Sequence, residues 1–393
     1  MVAAHWLVAP TRSGVRPGTN ETMRSIASWA SRASRAFRPL CMALLYATCG
    51  DVVADPTCPA RIAASPQSDG ACGFRNPANG QAQPSRSAWD IWTRFIVAKK
   101  EGTVPVDPIP VRRLSREALD ALDPAAAHIV RLGHSSHLLK LQGRYWLIDP
   151  MFSERASPLS FAGPLRFHPP PLALAELPPI DGLILSHDHY DHLDAGTIEA
   201  LNGRVQRYFV PLGVGARLQQ MGVPAERIEE LDWWQASRHG GIGVTATPAQ
   251  HFSGRWLNDR NSTLWASWVI DTGTQRIFFS GDTGYFPGLR EIGERAGPFD
   301  VALLENGAYD AYWPAMHLQP EEAVQAFFDL RAKLLWAVHN STFDLAFHGW
   351  REPLERIAAL AEARGLPLAT PEIGEVVTLG RPRVNRKWWQ GLR

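Results

Sequence analysis

The sequence predicts an α/β protein in which β-sheets carry helices on their outer faces. Three observations predict it. Short β-rich runs recur from residue 128 onward, helical patterns separate the later ones, and the first three runs are spaced as hairpins. Residues are 45% hydrophobic and 20% charged. That supplies a core and excludes a wholly disordered, collagen-like or coiled-coil chain. At about 150 residues per domain, 393 residues make two to three domains, or one large α/β domain with extensions.

The elements follow in order. Residues 1–85 hold 8 Arg, no Lys and 4 acids, a charge of +4, and residues 86–393 hold 32 basic and 35 acidic residues, a charge of −3. Residues 1–54 read as a leader. A basic stretch with Arg24, Arg32, Arg35 and Arg38 precedes a short apolar core, Leu40–Cys49. This is the pattern of an export signal, with cleavage near Ala54 or lipidation at Cys49, for a periplasmic or membrane-anchored protein; a mitochondrial transit peptide is the rival reading. No apolar run reaches the ~20 residues that span a bilayer as a helix. Residues 55–85, rich in Pro, Ser, Gln, Asn and Gly, read as a low-complexity linker. Cys58 and Cys72 lie in it, either paired in an exported protein or as two free thiols. Residues 86–127 are an N-terminal extension packing on the body, opened by an amphipathic piece from Trp89 to Val97.

The body, residues 128–380, begins with runs at His128–Leu132, Leu138–Leu141 and Tyr145–Ile148. Residues 150–180 contain eight Pro and read as a long ordered loop. Further runs are Gly182–Leu185, Arg207–Val210, Ile242–Ala246, Leu264–Ile270, Arg276–Phe279, Val301–Leu304 and Leu334–Val338. The clearest helix is Pro320–Leu330: Pro320 suits the first helical position, and Glu321 and Glu322 suit the positive helix start. Residues 381–393 form a tail.

All four Cys lie in the first 72 residues, whereas 12 of 13 His lie between His128 and His348. Metal chemistry in the body therefore uses imidazole and carboxylate. The segment SHDHYDHLD, 186–194, follows a strand and puts His187, His189, Asp191 and His192 within six residues. Asp194 is placed to cap the helix that follows. Any one of these four suits a polar surface loop, but three isolated partners, His251, Asp282 and His339, also end β-rich runs. Split evenly, the seven make two sites: His187, His189 and His251 on one metal, Asp191, His192 and His339 on the other, with Asp282 bridging. Two Zn2+ suit this sulfur-free set, with Mn2+ or Fe as alternatives, and a shared hydroxide between them is a nucleophile for in-line displacement.

On these residues the chain resembles the metallo-β-lactamase superfamily, and within it the branch of N-acyl-phosphatidylethanolamine-hydrolysing phospholipase D and its bacterial relatives. The stretches that carry the resemblance are RLGHSSHLLKL (131–141), IDPMFSERASP (148–158), ELPPIDGLILSHDHYDHLD (176–194), FVPLG (209–213), ELDWW (230–234), GDTGYFPGLREIGERAGPFD (281–300) and HLQPEEAVQA (317–326). The resemblance implies an αββα four-layer sandwich, the metallo-β-lactamase fold, with the site at the edge between two sheets and the same ligand split. It also implies that His317 lies at the active site, touching a substrate phosphate or the leaving group; the plain alternative is a surface His flanking a helix. The chain departs from the lipid enzyme at Glu305-Asn306, where that enzyme has Pro-Ile, and at Asn340, where Trp is usual.

Other residues admit two readings each. Tyr190 lines the pocket or packs. Arg255 binds an anionic group or is a solvated loop Arg. His134 and His137 hold an early turn, His348 is structural, and Trp233-Trp234 belongs to the core. The expected function is an exported binuclear zinc hydrolase: a phosphodiesterase acting on phospholipid-like substrates at a membrane surface. A metal-bridging hydroxide, oriented by Asp191 and Asp282, is its nucleophile. A lactonase resembling ascorbate-6-phosphate lactonase is the alternative, and a non-catalytic binding protein on the same fold is the second. Nucleic acid is not an expected partner, because the body is acidic and lacks a basic arm.

Overall fold

The computed structural model describes residues 58–77, 87–98 and 100–393. The expected leader, with Cys49 and Ala54, lies outside the described residues. Among the described residues, fourteen strands form two seven-stranded sheets. The first contains β1 (His128–Gly133), β2 (Ser136–Leu141), β3 (Arg144–Ile148), β4 (Ile180–Ile184), β5 (Val205–Pro211) and β6 (Ile228–Leu231). The second contains β7 (Ala236–His239), β8 (Ile242–Thr247), β9 (Ser267–Asp271), β10 (Arg276–Phe279), β11 (Val301–Glu305), β12 (Leu335–Val338) and β13 (Leu368–Ala369). The last strand, β14 (Val376–Thr378), returns to the first sheet. The orders are β14-β1-β2-β3-β4-β5-β6 and β13-β12-β11-β10-β9-β8-β7.

Period-two alternation makes the four layers. Ile129, Leu139, Trp146, Ile148, Ile184 and Phe209 face inward from the first sheet and meet Val244, Trp268, Ile270, Phe279, Leu303 and Trp336 of the second. Their chain neighbours Val130, Leu138, Leu147, Leu183 and Val210 face outward and pack on helices Ala195–Leu201 and Val214–Gln220 through Ile198, Leu201, Val214 and Leu218. Likewise Phe278, Ala302, Leu304 and Ala337 face helices Gly288–Ala296, Pro320–Asp329 and Glu352–Arg364. Strands covered on both faces read as continuous apolar runs. This is the αββα sandwich that the resemblance implied.

Strand directions place the site. β1 and β2 pair antiparallel, as do β2 and β3, while β3, β4 and β5 run parallel. The C-terminal ends of β1, β3 and β4 therefore share one edge. In the second sheet β8–β9 and β9–β10 are antiparallel and β10–β11–β12 parallel, so β8, β10, β11 and β12 also end together.

The stretch expected as a linker packs on the body over its described part, 58–77. A disulfide joins Cys58 to Cys72, the helix Ala60–Ala63 lies within the loop it closes, and Phe74 is buried in the core between the sheets. In the extension, helix Ala88–Val97 buries Ile91 against Phe252, Trp313 and Met316. In the tail, Trp389 is buried with Trp350 and Leu354. Asp194 stands at the N-cap of its helix without a capping bond to that helix's amides. Its carboxylate instead accepts from the Phe152 and Ser153 amides at 3.1 and 2.9 Å, tying the Pro-rich loop to the metal segment. Among the described residues no helix is long and apolar enough to cross a membrane.

Candidate metal centre

The expected donors converge on the shared edge. His187, His189, Asp191 and His192 follow β4, His251 follows β8, Asp282 follows β10 and His339 follows β12. Gly281, at φ +57°, sets the approach of Asp282: a Cβ there would stand 2.7 Å from the Ser186 Cβ and 3.0 Å from the Ala266 carbonyl oxygen. His339 itself holds φ +62° and Asp149 φ +39°. Non-glycine residues in that region are strained, and such strain concentrates at functional sites.

Hydrogen bonds at the far side of the His187, His251 and His192 rings fix which nitrogen offers its lone pair. The Ser186 hydroxyl donates to Asp149 Oδ2 at 2.6 Å, so it accepts from His187 Nδ1 at 2.9 Å and leaves His187 Nε2 a bare acceptor. His251 Nδ1 donates to the Met316 carbonyl at 3.0 Å, which does the same for His251 Nε2. Those two atoms lie 2.8 and 3.3 Å from His189 Nδ1. Around one tetrahedral ion with bonds of about 2.0–2.1 Å, nitrogen ligands stand about 3.3 Å apart. Two lone pairs fixed toward one point, with His189 Nδ1 beside them and no sulfur in the set, fit a metal.

The second cluster has the same character. His192 Nδ1 meets Asp149 Oδ2 at 2.7 Å, which frees Nε2. His192 Nε2 is 3.1 Å from Asp282 Oδ1 and 3.5 Å from Asp191 Oδ2. His339 Nε2 is 3.0 Å from Asp282 Oδ2 and 3.4 Å from Asp191 Oδ2. His192 Nε2, His339 Nε2 and Asp282 Oδ1 are nevertheless buried without hydrogen-bond partners. They face a common point more than one another. Asp282 also reaches the first cluster, with Oδ2 at 3.9 Å from His187 Nε2 and 3.8 Å from His251 Nε2.

Electrostatics separate the two clusters. Burial pulls His187 and His251 well below the ordinary imidazole range and His189 down to about 4, so these three are neutral donors. Burial acts the same way on His192 and His339, but the charges of Asp282 and Asp191 overcome it. His192 is held well above its usual range and His339 is pushed up to about 10. Burial alone would raise Asp191 and Asp282; the neighbouring imidazoles, His192 foremost, hold both well below it.

The remaining sequence candidates fall in different places. His317 stands at the site, its Nδ1 bonded to Glu305 Oε1 and 4.0 Å from Asp282 Oδ2. Tyr190 and Arg255 engage each other: the tyrosine hydroxyl donates to the Arg255 carbonyl at 2.6 Å, and the guanidinium carbon lies 4.1 Å from the ring centroid. Arg255 Nη1 donates to the carbonyls of Asp188 and Leu193 at 2.8 and 2.7 Å. Its guanidinium thus braces the 187–194 segment, so Arg255 is not a solvated loop residue. His134 also departs from expectation. It holds the turn, yet its Nε2 lies 2.9 Å from Asp191 Oδ2 and its ring 4.0 Å from that of His339. His137 is buried at Trp336, His348 Nε2 accepts from the Ala308 amide, and Trp233 lies in the core.

Two residues at the site were given no role there from sequence, Glu305 having been noted only as a departure from the lipid enzyme. Asp149 supports His187 and His192 through Ser186 and directly. Glu305 is fully buried, and its Oε2 accepts from the Thr283 amide at 2.6 Å. Burial and the adjacent Asp282 charge push Glu305 well above the usual carboxylate range, while burial brings His317 down to about 4. A single proton shared between Glu305 and His317 Nδ1 satisfies both. Each residue ends an apolar strand, and a carboxylate at that position was the available signal.

Comparison with known proteins follows the same lines. Residues 144–340 match the family model described as a Beta-lactamase superfamily domain. An uncharacterized protein of Mycobacterium tuberculosis is 45% identical over 305 residues, 76% of this chain and 80% of that one. N-acyl-phosphatidylethanolamine-hydrolyzing phospholipase D 1 of Caenorhabditis elegans is 36% identical over 263 residues, 62% of this chain and 74% of that one. Among solved structures, the isothiocyanate hydrolase from Delia radicum gut bacteria shares the fold at 19% identity and a TM-score of 0.52, over 64% of this chain and 98% of that one.

Proposed function

This chain belongs to the metallo-β-lactamase superfamily of hydrolases, and on that premise we propose that it is a binuclear, zinc-dependent phosphodiesterase of the N-acyl-phosphatidylethanolamine phospholipase D type. The observation that carries the reading is Asp282. One of its oxygens lies within 4 Å of donors in both clusters, and neither cluster contains sulfur. Residues His187, His189 and His251 would hold one ion and Asp191, His192 and His339 the other. Ions held there would supply Lewis-acid activation of water and stabilise charge developing on phosphate oxygens.

The chain's own groups divide the remaining tasks. Asp282 and Asp191 place negative charge beside the attacking water and orient it. His134 holds Asp191, and Asp149 holds His192 and Ser186, so the donors keep their places without rearrangement. As the bond from the water oxygen to phosphorus forms and the bond to the departing oxygen breaks, His317 Nε2–H would protonate that alkoxide while Glu305 passes its proton to Nδ1. The products are an alcohol and a phosphomonoester. The name of the nematode relative supports a phospholipid substrate. Exposed apolar side chains support docking at a lipid surface: Phe161 in the Pro-rich loop, and Trp256 and Leu257 in the loop after His251. The leader expected over residues 1–54 would deliver the protein to that surface.

The test is a substrate panel on zinc-reconstituted protein: bis(p-nitrophenyl) phosphate, N-acyl-phosphatidylethanolamine and an acyl homoserine lactone. Phosphodiester cleavage is the expected result. Lactone opening with no phosphodiester turnover, in protein carrying both metals, moves the assignment to a lactonase. No turnover of any substrate leaves a binding protein.

A further inference from the structure

The backbone of His251, an expected ligand, is held by a segment far away in sequence. Both of its main-chain groups are bound by a single side chain. The His251 amide donates to Asn76 Oδ1 at 2.8 Å, and Asn76 Nδ2 donates to the His251 carbonyl at 2.7 Å. A primary amide offers one acceptor and one donor side by side, so it closes this pair as a neighbouring strand would. An Asp would set a carboxylate against a carbonyl, and an Ala would leave both groups without partners. The ring is fixed at its other end by Met316, as described above. Asn76 and Met316 together therefore set where His251 Nε2 points.

Asn76 is brought there by a small closed lobe. The Cys58–Cys72 disulfide ends four residues before it. Inside the loop, Asp69 Oδ1 accepts from the Ala71 and Gly73 amides at 2.7 and 2.9 Å. Phe74 is buried between the sheets, and its amide donates to the Asn261 carbonyl at 2.8 Å. Within the closed loop, Arg61 Nη2 donates to the Glu230 carbonyl at 2.8 Å. One anchor thus lies inside the disulfide loop and one just after it, with the Asn76–His251 clamp two residues further on.

We propose that Asn76 is a positioning residue for the His187–His189–His251 metal site, and that the Cys58–Cys72 disulfide makes this positioning redox-dependent. The inference rests on the reading of that cluster as a metal site. When a phosphine reductant attacks the disulfide, the S–S bond breaks and two thiols form. The phosphine is oxidised to its oxide, taking its oxygen from water, whose hydrogens become the thiol protons. The 58–77 lobe then loses its closure, Asn76 leaves His251, and the first metal site loosens. The enzyme reaches full metal affinity only in an oxidising compartment.

The experiment uses the full chain loaded with zinc and challenged with a chelator, metal content being followed with time. Partners of this kind, one step removed from a metal, change its affinity by about 10–100-fold when removed. Asn76→Ala is expected to lose one of two zinc ions faster by a factor in that range, and the other at the wild-type rate. Wild type treated with phosphine, with complete reduction checked by thiol titration, is expected to move in the same direction. So is the Cys58→Ser/Cys72→Ser double variant. Reduction of Asn76→Ala is expected to add nothing further, since both act through one clamp. Unchanged zinc retention in Asn76→Ala overturns the positioning role, and unchanged retention after complete reduction overturns the redox dependence. Hydrogen exchange at the His251 amide is read in parallel on metal-free protein. It is expected to be slow in oxidised wild type and fast in Asn76→Ala and after reduction. Wild type binding fewer than two zinc ions contradicts the binuclear reading instead. Amide exchange then decides alone, and equal exchange in wild type and Asn76→Ala overturns the clamp.

Discussion

Replacing Asp149 with Asn changes neither size nor shape, yet it should weaken one metal site and spare the other. Asp149 accepts three hydrogen bonds: from the Ser186 amide at 2.7 Å on Oδ1, and from the Ser186 hydroxyl at 2.6 Å and His192 Nδ1 at 2.7 Å on Oδ2. An amide has one oxygen and one NH2 to offer the same partners. If the NH2 replaces Oδ2, it donates to His192 Nδ1, drives the ring proton to Nε2 and removes the lone pair meant for the metal. If it replaces Oδ1, it meets the buried Ser186 amide donor to donor, at about 1–3 kcal/mol. Both outcomes disturb His192. Affinity at the Asp191–His192–His339 site should fall by about 10–100-fold. The His187–His189–His251 site feels the change only through the Ser186 hydroxyl and should hold its ion. Titration of metal-free Asp149→Asn with zinc, followed by calorimetry, reads the two steps separately. Two zinc ions bound with wild-type affinities would refute the reasoning that Asp149 sets the His192 tautomer.

Further predictions follow from the same geometry. Glu305→Gln should keep both metals and lower phosphodiester turnover by about 10–100-fold, because His317 loses the partner that shares its proton; elemental analysis beside kcat checks it. Proton release on zinc binding should be unequal at pH 7.5. His192 and His339 hold their protons above neutrality in metal-free protein, so zinc displaces them and binding at that site strengthens as pH rises. The neutral His187, His189 and His251 release none. Titration in buffers of different ionisation enthalpy counts the protons, and equal release from both sites would contradict it. Arg255→Ala removes two bonds to the Asp188 and Leu193 carbonyls. It should lower stability by about 2–4 kcal/mol, seen as reduced Tm, without the selective rise in KM expected of a substrate-binding Arg.

Much of this architecture was legible in the residues. Strands buried on both faces, such as Leu183–Ile184 and Val301–Leu304, announce themselves as apolar runs. Edge strands do not. β6 reads IEEL and β7 reads ASRH, and β14 is three residues long, so each lacks the apolar content of a central strand. The seven donors were visible because four crowd into one segment after a run, the other three each follow a run of their own, and a metal set has a narrow choice of side chains. His134 was assigned to a turn alone, since nothing local reveals that β1 ends on the same edge as β4. That follows only from the β1–β2–β3 pairing. The bracing role of Arg255 was not foreseen because its partners are backbone carbonyls, which leave no trace in sequence. The lobe at 58–77 has a linker's composition. What orders it is one disulfide, one buried Phe and one Asn whose partner is 175 residues away.

The central claim is that Asp282 couples two metal ions in one phosphodiesterase site. The most direct measurement titrates zinc into metal-free wild type and Asp282→Ala while recording bound metal and bis(p-nitrophenyl) phosphate hydrolysis in the same samples. Wild-type activity is expected to appear with the second equivalent, and Asp282→Ala is expected to weaken both sites and hydrolyse nothing. Full hydrolysis at one equivalent, or an Asp282→Ala protein that binds two zinc ions and remains active, would contradict it.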